Sequence, residues 1–142
     1  MADPVVACPS CGTKNRVPVA SSGLPRCASC HADLPWLVNA GDADFDSAVR
    51  STSLVVVDLW ATWCPPCRMI APILESLSRE LAGTLKVVKV DVDHSPVIAA
   101  RYDARSIPTL LVMRDGEVVD RIVGALPKQA LKARIDAVLA AR

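Results

Sequence analysis

The chain has 142 residues, 51% of them hydrophobic, which suffices for one ordinary domain with a buried core and a small appendage. Sixteen basic and fifteen acidic residues leave a net charge of +1 without a block of like charge, so the electrostatics call for neither nucleic acid nor a membrane surface. No apolar run approaches the roughly 18 residues that span a bilayer. The first residues, Met1 to Pro4, show no signal-peptide pattern, so we expect a cytoplasmic protein.

Residues 1–35 are predicted to form a small metal-binding module. Two Cys-x-x-Cys pairs with fifteen residues between them have the spacing typical of a four-thiolate zinc site. A segment this short cannot bury enough apolar surface to fold alone, so the metal would supply its folding energy. Gly12 suits a knuckle turn that needs a permissive backbone. We therefore predict a zinc-ribbon-like module with one Zn²⁺ and four ligands: Cys8, Cys11, Cys27 and Cys30.

Alternatives remain open for this module. The four cysteines could form two structural disulfides, which a cytoplasmic chain disfavours, or a second redox pair that releases zinc on oxidation. His31, beside Cys30, is a possible substitute ligand, although we expect a solvated neighbour instead. The segment has no basic stripe and no aromatic platform except Trp36 at its edge, so we expect no nucleic-acid binding. Stabilisation, protein contact and redox sensing are roles among which the pattern does not choose.

Residues 36–142 are predicted to form the larger domain, with its elements in a regular alternation. Residues 34–39 are expected to join the modules and enter the first strand, followed by turn and N-cap residues at 40–44 and a short helix from Phe45 to Val49. The later segments, read from apolar periodicity, are a strand at 54–60, a helix at 66–82 kinked at Pro72, a strand at 85–92, a helix at 95–102, strands at 109–113 and 118–123 joined by a hairpin turn, and a helix at 128–139. This order predicts an α/β fold with helices on both faces of one mixed sheet.

A third Cys-x-x-Cys pair, Cys64 and Cys67, lies where the predicted strand at 54–60 gives way to a helix. The N-terminus of a helix carries partial positive charge and unpaired N–H groups, which stabilise a thiolate and lower a cysteine pKa. The spacing lets one sulfur attack a disulfide and the other resolve the mixed disulfide. The alternatives are half of a zinc site or an inert pair, but this part of the chain offers only His94 as a further ligand.

Residues 37–142 resemble the thioredoxin family over the whole domain. The resemblance rests on four motifs in the family's order: Val57-Asp58-Leu59-Trp60-Ala61-Thr62-Trp63-Cys64, Arg105-Ser106-Ile107-Pro108-Thr109, Asp115-Gly116-Glu117 and Val123-Gly124-Ala125. With four cysteines in front, the whole chain resembles the zinc-carrying branch of the bacterial thioredoxins. The resemblance implies a thioredoxin fold and a general protein-disulfide reductase, recharged by an NADPH-dependent thioredoxin reductase. We expect no bound organic cofactor and a monomer.

Catalytic roles follow from the resemblance together with the residue chemistry. Cys64 is expected to be the exposed nucleophile and Cys67 the buried resolving thiol. Asp58, an acid within an apolar strand, is the candidate base for Cys67, because burial should raise its pKa toward neutrality. The alternative is an edge-facing or hydrogen-bonded structural acid. Lys89 resembles the family's lysine near that acid, although a solvated lysine on a sheet face is also possible.

A substrate-binding rim is expected around the two cysteines. The bond between Ile107 and Pro108 resembles the family's cis-proline bond and would place the backbone of Ile107 where an extended substrate can pair with it; an ordinary trans proline is the alternative. Trp63, Gly124 and Ala125 would complete an apolar rim with Ile107. Trp60 is expected to pack beneath the site, and Arg68 replaces a lysine common in the family.

The chain departs from the family at Pro65, where thioredoxins usually have glycine. Because Pro65 and Pro66 both lack N–H groups, Cys67 would supply the nearest backbone donor to the Cys64 sulfur. We therefore expect a less stabilised Cys64 thiolate and a stiffer loop. Two other functions stay in view: a zinc-dependent binding or holdase module on the same scaffold, and a disulfide donor, which would normally need an oxidising compartment.

Overall fold

The computed structural model describes residues 3–21 and 23–141; the predicted ranges also include Met1, Ala2, Ser22 and Arg142, which lie outside the described residues. The elements along the chain are β1 (Val5–Ala7), β2 (Lys14–Arg16), β3 (Trp36–Asn39), α1 (Phe45–Ala48), β4 (Leu54–Trp60), α2 (Pro65–Glu80), β5 (Leu85–Asp91), α3 (Pro96–Arg101), β6 (Thr109–Arg114), β7 (Glu117–Val123) and α4 (Lys128–Ala140).

The larger sheet among the described residues has the strand order β3-β5-β4-β6-β7. Strands β3, β5 and β4 run parallel, and β6 and β7 continue the sheet antiparallel. Strand β4 lies in the middle and is buried on both faces, as its unbroken apolar run predicts. The predicted α/β class with a mixed sheet flanked by helices is confirmed.

Alternate residues of β4 face two different layers of core, because successive side chains of a strand point to opposite faces. Val55, Val57 and Leu59 pack on the side of α1 and α3. Leu54 and Val56 face the other side, where α2 and α4 supply Ile70, Leu74, Leu77, Leu131 and Ile135.

The predicted element bounds agree with the structure to within a few residues. The helix expected at 66–82 spans Pro65–Glu80, because proline is favourable at the first helical position. Pro72 lies inside α2 without ending it, and the kink expected there stays a prediction. No helix in the described parts of the chain is long and apolar enough to cross a bilayer.

The turn residues before α1 bind backbone groups outside that helix, which the sequence did not predict. Asp44 precedes α1 but makes no side-chain cap to it; its carboxylate accepts the Gly41 N–H at 2.7 Å. The Asp42 carboxylate instead accepts the N–H groups of Val97 and Ile98, at 3.1 and 2.9 Å, in the first turn of α3. This contact ties the loop after β3 to α3.

The N-terminal segment adds a two-stranded antiparallel sheet, in which β1 pairs with β2. These three-residue strands were not predicted, because they are too short to show a period. The segment does not stand apart from the domain: Val17, Val19 and Leu34 are buried in the same core cluster as Phe45 and Val88.

Candidate active site and candidate metal centre

Cys64 and Cys67 are joined by a disulfide at the junction of β4 and α2. Cys64 is the N-cap residue of α2, and its Sγ accepts the backbone N–H of Cys67 at 3.2 Å. Pro65 and Pro66 lie between them and have no N–H to offer. The alternative in which this pair is half of a zinc site is wrong, because the two sulfurs are bonded to each other.

The exposure of Cys64 differs from the expectation. Cys64 is 3% exposed and Cys67 is 4% exposed, so the prediction of an exposed Cys64 is wrong for this oxidised form. The Cys64 sulfur is bonded to Cys67 of α2 and lies 3.6 Å from the carbonyl oxygen of Ile107. Trp63 and Pro65 on either side are exposed. Both cysteines are therefore buried in this oxidised form, between exposed neighbours in the chain.

Asp58 is buried on the face of the sheet that α2 covers. It is 1% exposed, and neither carboxylate oxygen has a hydrogen-bond partner among the described residues. Burial raises the pKa of Asp58 to about 6, and the charge of Lys89, its register partner on β5, opposes the rise. An edge-facing or hydrogen-bonded structural acid is therefore excluded. Lys89 is half-buried, with its ammonium 5.1 Å from the centre of the Trp60 ring.

Some of the predicted rim residues have contacts that can be traced in the structure. The peptide between Ile107 and Pro108 is cis, as expected. Ile107 and Trp60 both pack against the small cluster that Cys64 and Cys67 form with Ala61. The N–H of Gly124 donates to the Pro108 carbonyl at 2.8 Å, which brings the end of β7 to the same edge. Ala125 follows there and packs on the core beside α2 and α4.

Asp93 contacts the predicted rim residue Trp63, and this contact was not predicted from the sequence. Trp63 is 62% exposed, and its indole Nε1 donates to the Asp93 carboxylate at 2.9 Å. Asp93 lies in the turn after β5, and the ends of neighbouring parallel strands meet at one edge of a sheet, so position alone could have suggested it. Met69 on α2 is also exposed, at 67%.

The four N-terminal cysteines form a cluster suited to one metal ion. Their sulfur atoms all lie within 4.8 Å of one another, and the thiols are free, so the alternative of two structural disulfides is not what the structure has. Two close pairs of sulfurs join the two halves of the site. The Sγ atoms lie 3.6 Å apart in the pair Cys8 and Cys30, and 3.5 Å apart in the pair Cys11 and Cys27. Four sulfurs about 2.3 Å from a tetrahedral zinc lie about 3.8 Å apart, so this donor set fits such an ion.

The two halves of the cluster are built alike. The N–H of Gly12 donates to the Cys8 carbonyl and that of His31 to the Cys27 carbonyl, at 2.8 and 2.9 Å. Gly12 and His31 have φ angles of 79° and 64°, in the left-handed region. The permissive turn expected at Gly12 is confirmed. His31 fills the matching backbone position, and its ring is not part of the sulfur cluster.

Asn15 on β2 connects the two halves of the cysteine cluster, and this contact was not predicted from the sequence. Its side-chain oxygen accepts the Ala28 N–H at 2.9 Å, and its amide nitrogen lies 3.5 Å from the Cys27 sulfur. The backbone N–H of Cys30, together with the Asn15 side chain, lowers the pKa of Cys27 to about 6. The residues around this sulfur thus favour the thiolate, which is the form that binds a metal.

Comparison with known proteins gives a consistent match to the larger domain. The family model described as Thioredoxin matches residues 37–137. Thioredoxins of Staphylococcus aureus strains Mu50, MW2 and N315 are each 50% identical to the chain over 100 residues, which covers 70% of this chain and 95% of each relative. The family match includes both cysteines of the disulfide and begins after the four-cysteine cluster.

Proposed function

The chain belongs to the thioredoxin family, and from this premise we propose that it is a protein-disulfide reductase recharged by an NADPH-dependent thioredoxin reductase. Its relatives and its Cys64–Cys67 disulfide indicate a thiol-disulfide oxidoreductase. The observation that carries the proposal is the disulfide at the N-terminus of α2, with the Cys67 N–H on the Cys64 sulfur. The same N–H and the helix dipole would stabilise a Cys64 thiolate once the bond is reduced.

The proposed reaction consists of two exchange steps. The Cys64 thiolate attacks a substrate disulfide, forming a mixed disulfide and releasing one substrate thiolate. Cys67, as a thiolate, then attacks the Cys64 sulfur and releases the second substrate thiolate. The substrate gains two electrons and the chain loses two, which leaves the disulfide that the structure contains. Thioredoxin reductase would return the two electrons.

Asp58 is proposed to take the proton from Cys67 before the second step. Its burial, its lack of a hydrogen-bond partner among the described residues and its pKa of about 6 support this role. It lies beneath α2, the helix that carries Cys67. Lys89 would moderate the charge of Asp58, since the lysine opposes the rise in its pKa.

The rim is proposed to hold an extended segment of the substrate protein. The Ile107 carbonyl, 3.6 Å from the Cys64 sulfur, is placed to pair with a substrate backbone, with Pro108 fixing the turn. Trp63, Gly124 and Ala125 would supply apolar contact. Asp93 would orient the Trp63 indole through their hydrogen bond.

We assign residues 1–35 to a metal-binding module and residues 36–142 to the thioredoxin domain. Zn²⁺ is the proposed ion, because four thiolates in tetrahedral arrangement favour it. When bound, zinc would supply folding energy and take no part in the exchange steps. A reducing cytoplasm is the proposed compartment, since it keeps such thiols free. We propose a monomer that binds neither nucleic acid nor membrane.

An insulin-disulfide reduction assay tests the proposed function, first with dithiothreitol and then with thioredoxin reductase and NADPH. We expect Cys64→Ser to be inactive, Cys67→Ser to accumulate a mixed disulfide, and zinc-stripped protein to keep its activity. Activity that survives Cys64→Ser would overturn the proposal. Activity lost only on stripping would instead favour a zinc-dependent binding module, and faster oxidation of a reduced peptide than reduction of insulin would favour a disulfide donor.

A further inference from the structure

Lys86 on β5 is a lysine without exposed surface: its relative exposure is 0%. An ammonium has three N–H donors, and two of them have carbonyl partners. Two donate to the carbonyl oxygens of Val19 and Ala48, at 2.7 and 2.6 Å. The ammonium also lies over the Trp36 ring, 4.1 Å from its centre. Burial lowers the pKa of Lys86 to about 8, so the group is still positively charged at neutral pH.

The partners of Lys86 come from two different parts of the chain. Val19 belongs to the N-terminal module, whereas Ala48 ends α1 and Trp36 begins β3. Trp36 holds the same stretch of the module, because its Nε1 donates to the Pro18 carbonyl at 2.8 Å. Two neighbouring carbonyls of the module, at residues 18 and 19, are therefore fastened by side chains of the larger domain.

The metal ligands belong to the same packed region. Cys8 and Cys27 are buried in one core cluster with Val17 and Val19 of the module and with Phe45 of α1. If the module loses its fold, Lys86 loses the Val19 carbonyl and must be hydrated, since a buried charge without partners is unfavourable. Water would then enter between β3 and α1. Packing of the N-terminal module on the larger domain and metal binding by its cysteines would each favour the other.

We propose that Lys86 is a latch that couples metal binding at the four cysteines to the packing of β3 and α1 in the redox domain. The inference goes beyond the proposed function, because it concerns the conformation that the metal controls and not the disulfide exchange. Since coupling between two sites is reciprocal, the latch must also raise the affinity of the cysteines for the metal. Metal loss would open the latch and loosen the edge of the sheet.

Lys86→Met tests the latch in the full-length, oxidised protein, because methionine keeps the length of the side chain and removes its donors. Zn²⁺ affinity is measured by competition with a colorimetric chelator, and Lys132→Met on α4 is the matched control. We expect Lys86→Met to bind Zn²⁺ about 10-fold more weakly, within the usual range of coupled sites, and the control to be unchanged. Equal affinity in Lys86→Met and the wild type would overturn the latch.

Hydrogen exchange gives a second readout, which disulfide exchange does not influence. In the wild type, removal of zinc should speed amide exchange at least several-fold at residues 36–40 as well as at 17–21. In zinc-loaded Lys86→Met both segments should already exchange faster than in the wild type. Wild-type exchange at 36–40 that is the same with and without zinc would refute the coupling.

Trp36→Phe decides the case if Lys86→Met does not fold. It keeps an aromatic ring under the ammonium and removes the N–H that binds Pro18. We expect a smaller loss of Zn²⁺ affinity in the same direction, and an unchanged affinity would contradict the latch. Insulin reduction by the same samples separates the two proposals: an inactive wild type would overturn the reductase and leave the latch to be judged by the affinity and exchange data.

Discussion

Asp58 shows how a single residue can be retained against stability. Its carboxyl group lies on the central strand with 1% exposure and without a hydrogen-bond partner in the described residues. A buried polar group of this kind normally destabilises the folded state. The proposed role gives a physical reason for tolerating it, because a proton acceptor for Cys67 needs a pKa near neutrality and burial supplies one.

The pH dependence of stability should therefore report on Asp58. Burial raises its pKa from 3.8 to about 6, so between these values the folded protein binds a proton that the unfolded chain releases. The free energy of unfolding should fall as the pH rises through this window, by about 3 kcal/mol in total, and remain lower above it. Urea unfolding of oxidised wild type and Asp58→Asn from pH 4 to pH 8 measures this. The variant should lack the fall, and an identical pH profile in both proteins would refute the assignment.

Pro65 should weaken the stabilisation of the Cys64 thiolate. Cys67 donates its N–H to the Cys64 sulfur, while positions 65 and 66 have no N–H to add. We expect Pro65→Gly to lower the pKa of Cys64 in the reduced protein, because a further backbone donor becomes available beside the sulfur. Thiolate absorbance near 240 nm as a function of pH measures it, with Cys64→Ser as the blank. A higher pKa in the glycine variant would contradict this explanation.

At the scale of elements, the packing of β4 against α2 determines where Cys64 lies. The apolar run of β4 must be buried on both faces, and the buried stripe of α2, Ile70, Leu74 and Leu77, must cover one of them. The chain therefore turns at the edge of the sheet through Thr62 and Trp63, and Cys64 is the N-cap residue of the helix that follows. Its sulfur takes the capping place that a serine or aspartate usually holds.

The turns at Gly12 and His31 in the metal module allow a matched pair of substitutions with opposite effects on the free energy of unfolding. Gly12 has a φ of 79°, and a Cβ there would meet nothing within 4 Å, so Gly12→Ala should cost only the backbone penalty of about 1–2 kcal/mol. His31 has a φ of 64°, so His31→Gly should stabilise the zinc-loaded protein by about 0.5–1 kcal/mol. Urea unfolding measures both, with Gly23→Ala as the control. Effects of the same sign at the two positions would show that the turns are not equivalent.

At the scale of the whole molecule, the metal module and the redox domain share one body of core. The cluster that contains Cys8 and Cys27 extends through Trp36 and Phe45 to Leu111 on β6. We expect residues 1–35 to depend on this shared core because the segment is short, so the segment and the domain should gain stability together.

The zinc-loaded, oxidised protein should consequently unfold in one cooperative transition. With Trp60 and Trp63 replaced by Phe, fluorescence reports Trp36 alone, which lies between the module and the sheet. Its change in urea should coincide with the loss of far-ultraviolet circular dichroism, as two-state unfolding requires. Fluorescence that changes at clearly lower urea than the dichroism would show that the module detaches first.

Much of this protein was determined by local pattern in its sequence. The strand at 54–60 and the neighbouring helix were predictable because the pattern of apolar residues reflects which side chains are buried. The clustering of the four N-terminal cysteines was predictable because their spacing along the chain is typical of a metal site. The resemblance to the family added the roles of Asp58, Lys89 and the cis bond before Pro108. Only the cis bond among these is visible directly in the geometry.

Tertiary structure alone decided the contacts between distant positions. Trp63 and Asp93 are 30 positions apart, and Lys86 reaches a carbonyl 67 positions away. The sequence does not reveal whether a lysine or an aspartate is solvated or buried. Its partners depend on which distant segments the fold brings next to it. The low exposure of Cys64 has the same origin, since Ile107 reaches its sulfur from 43 positions further along the chain.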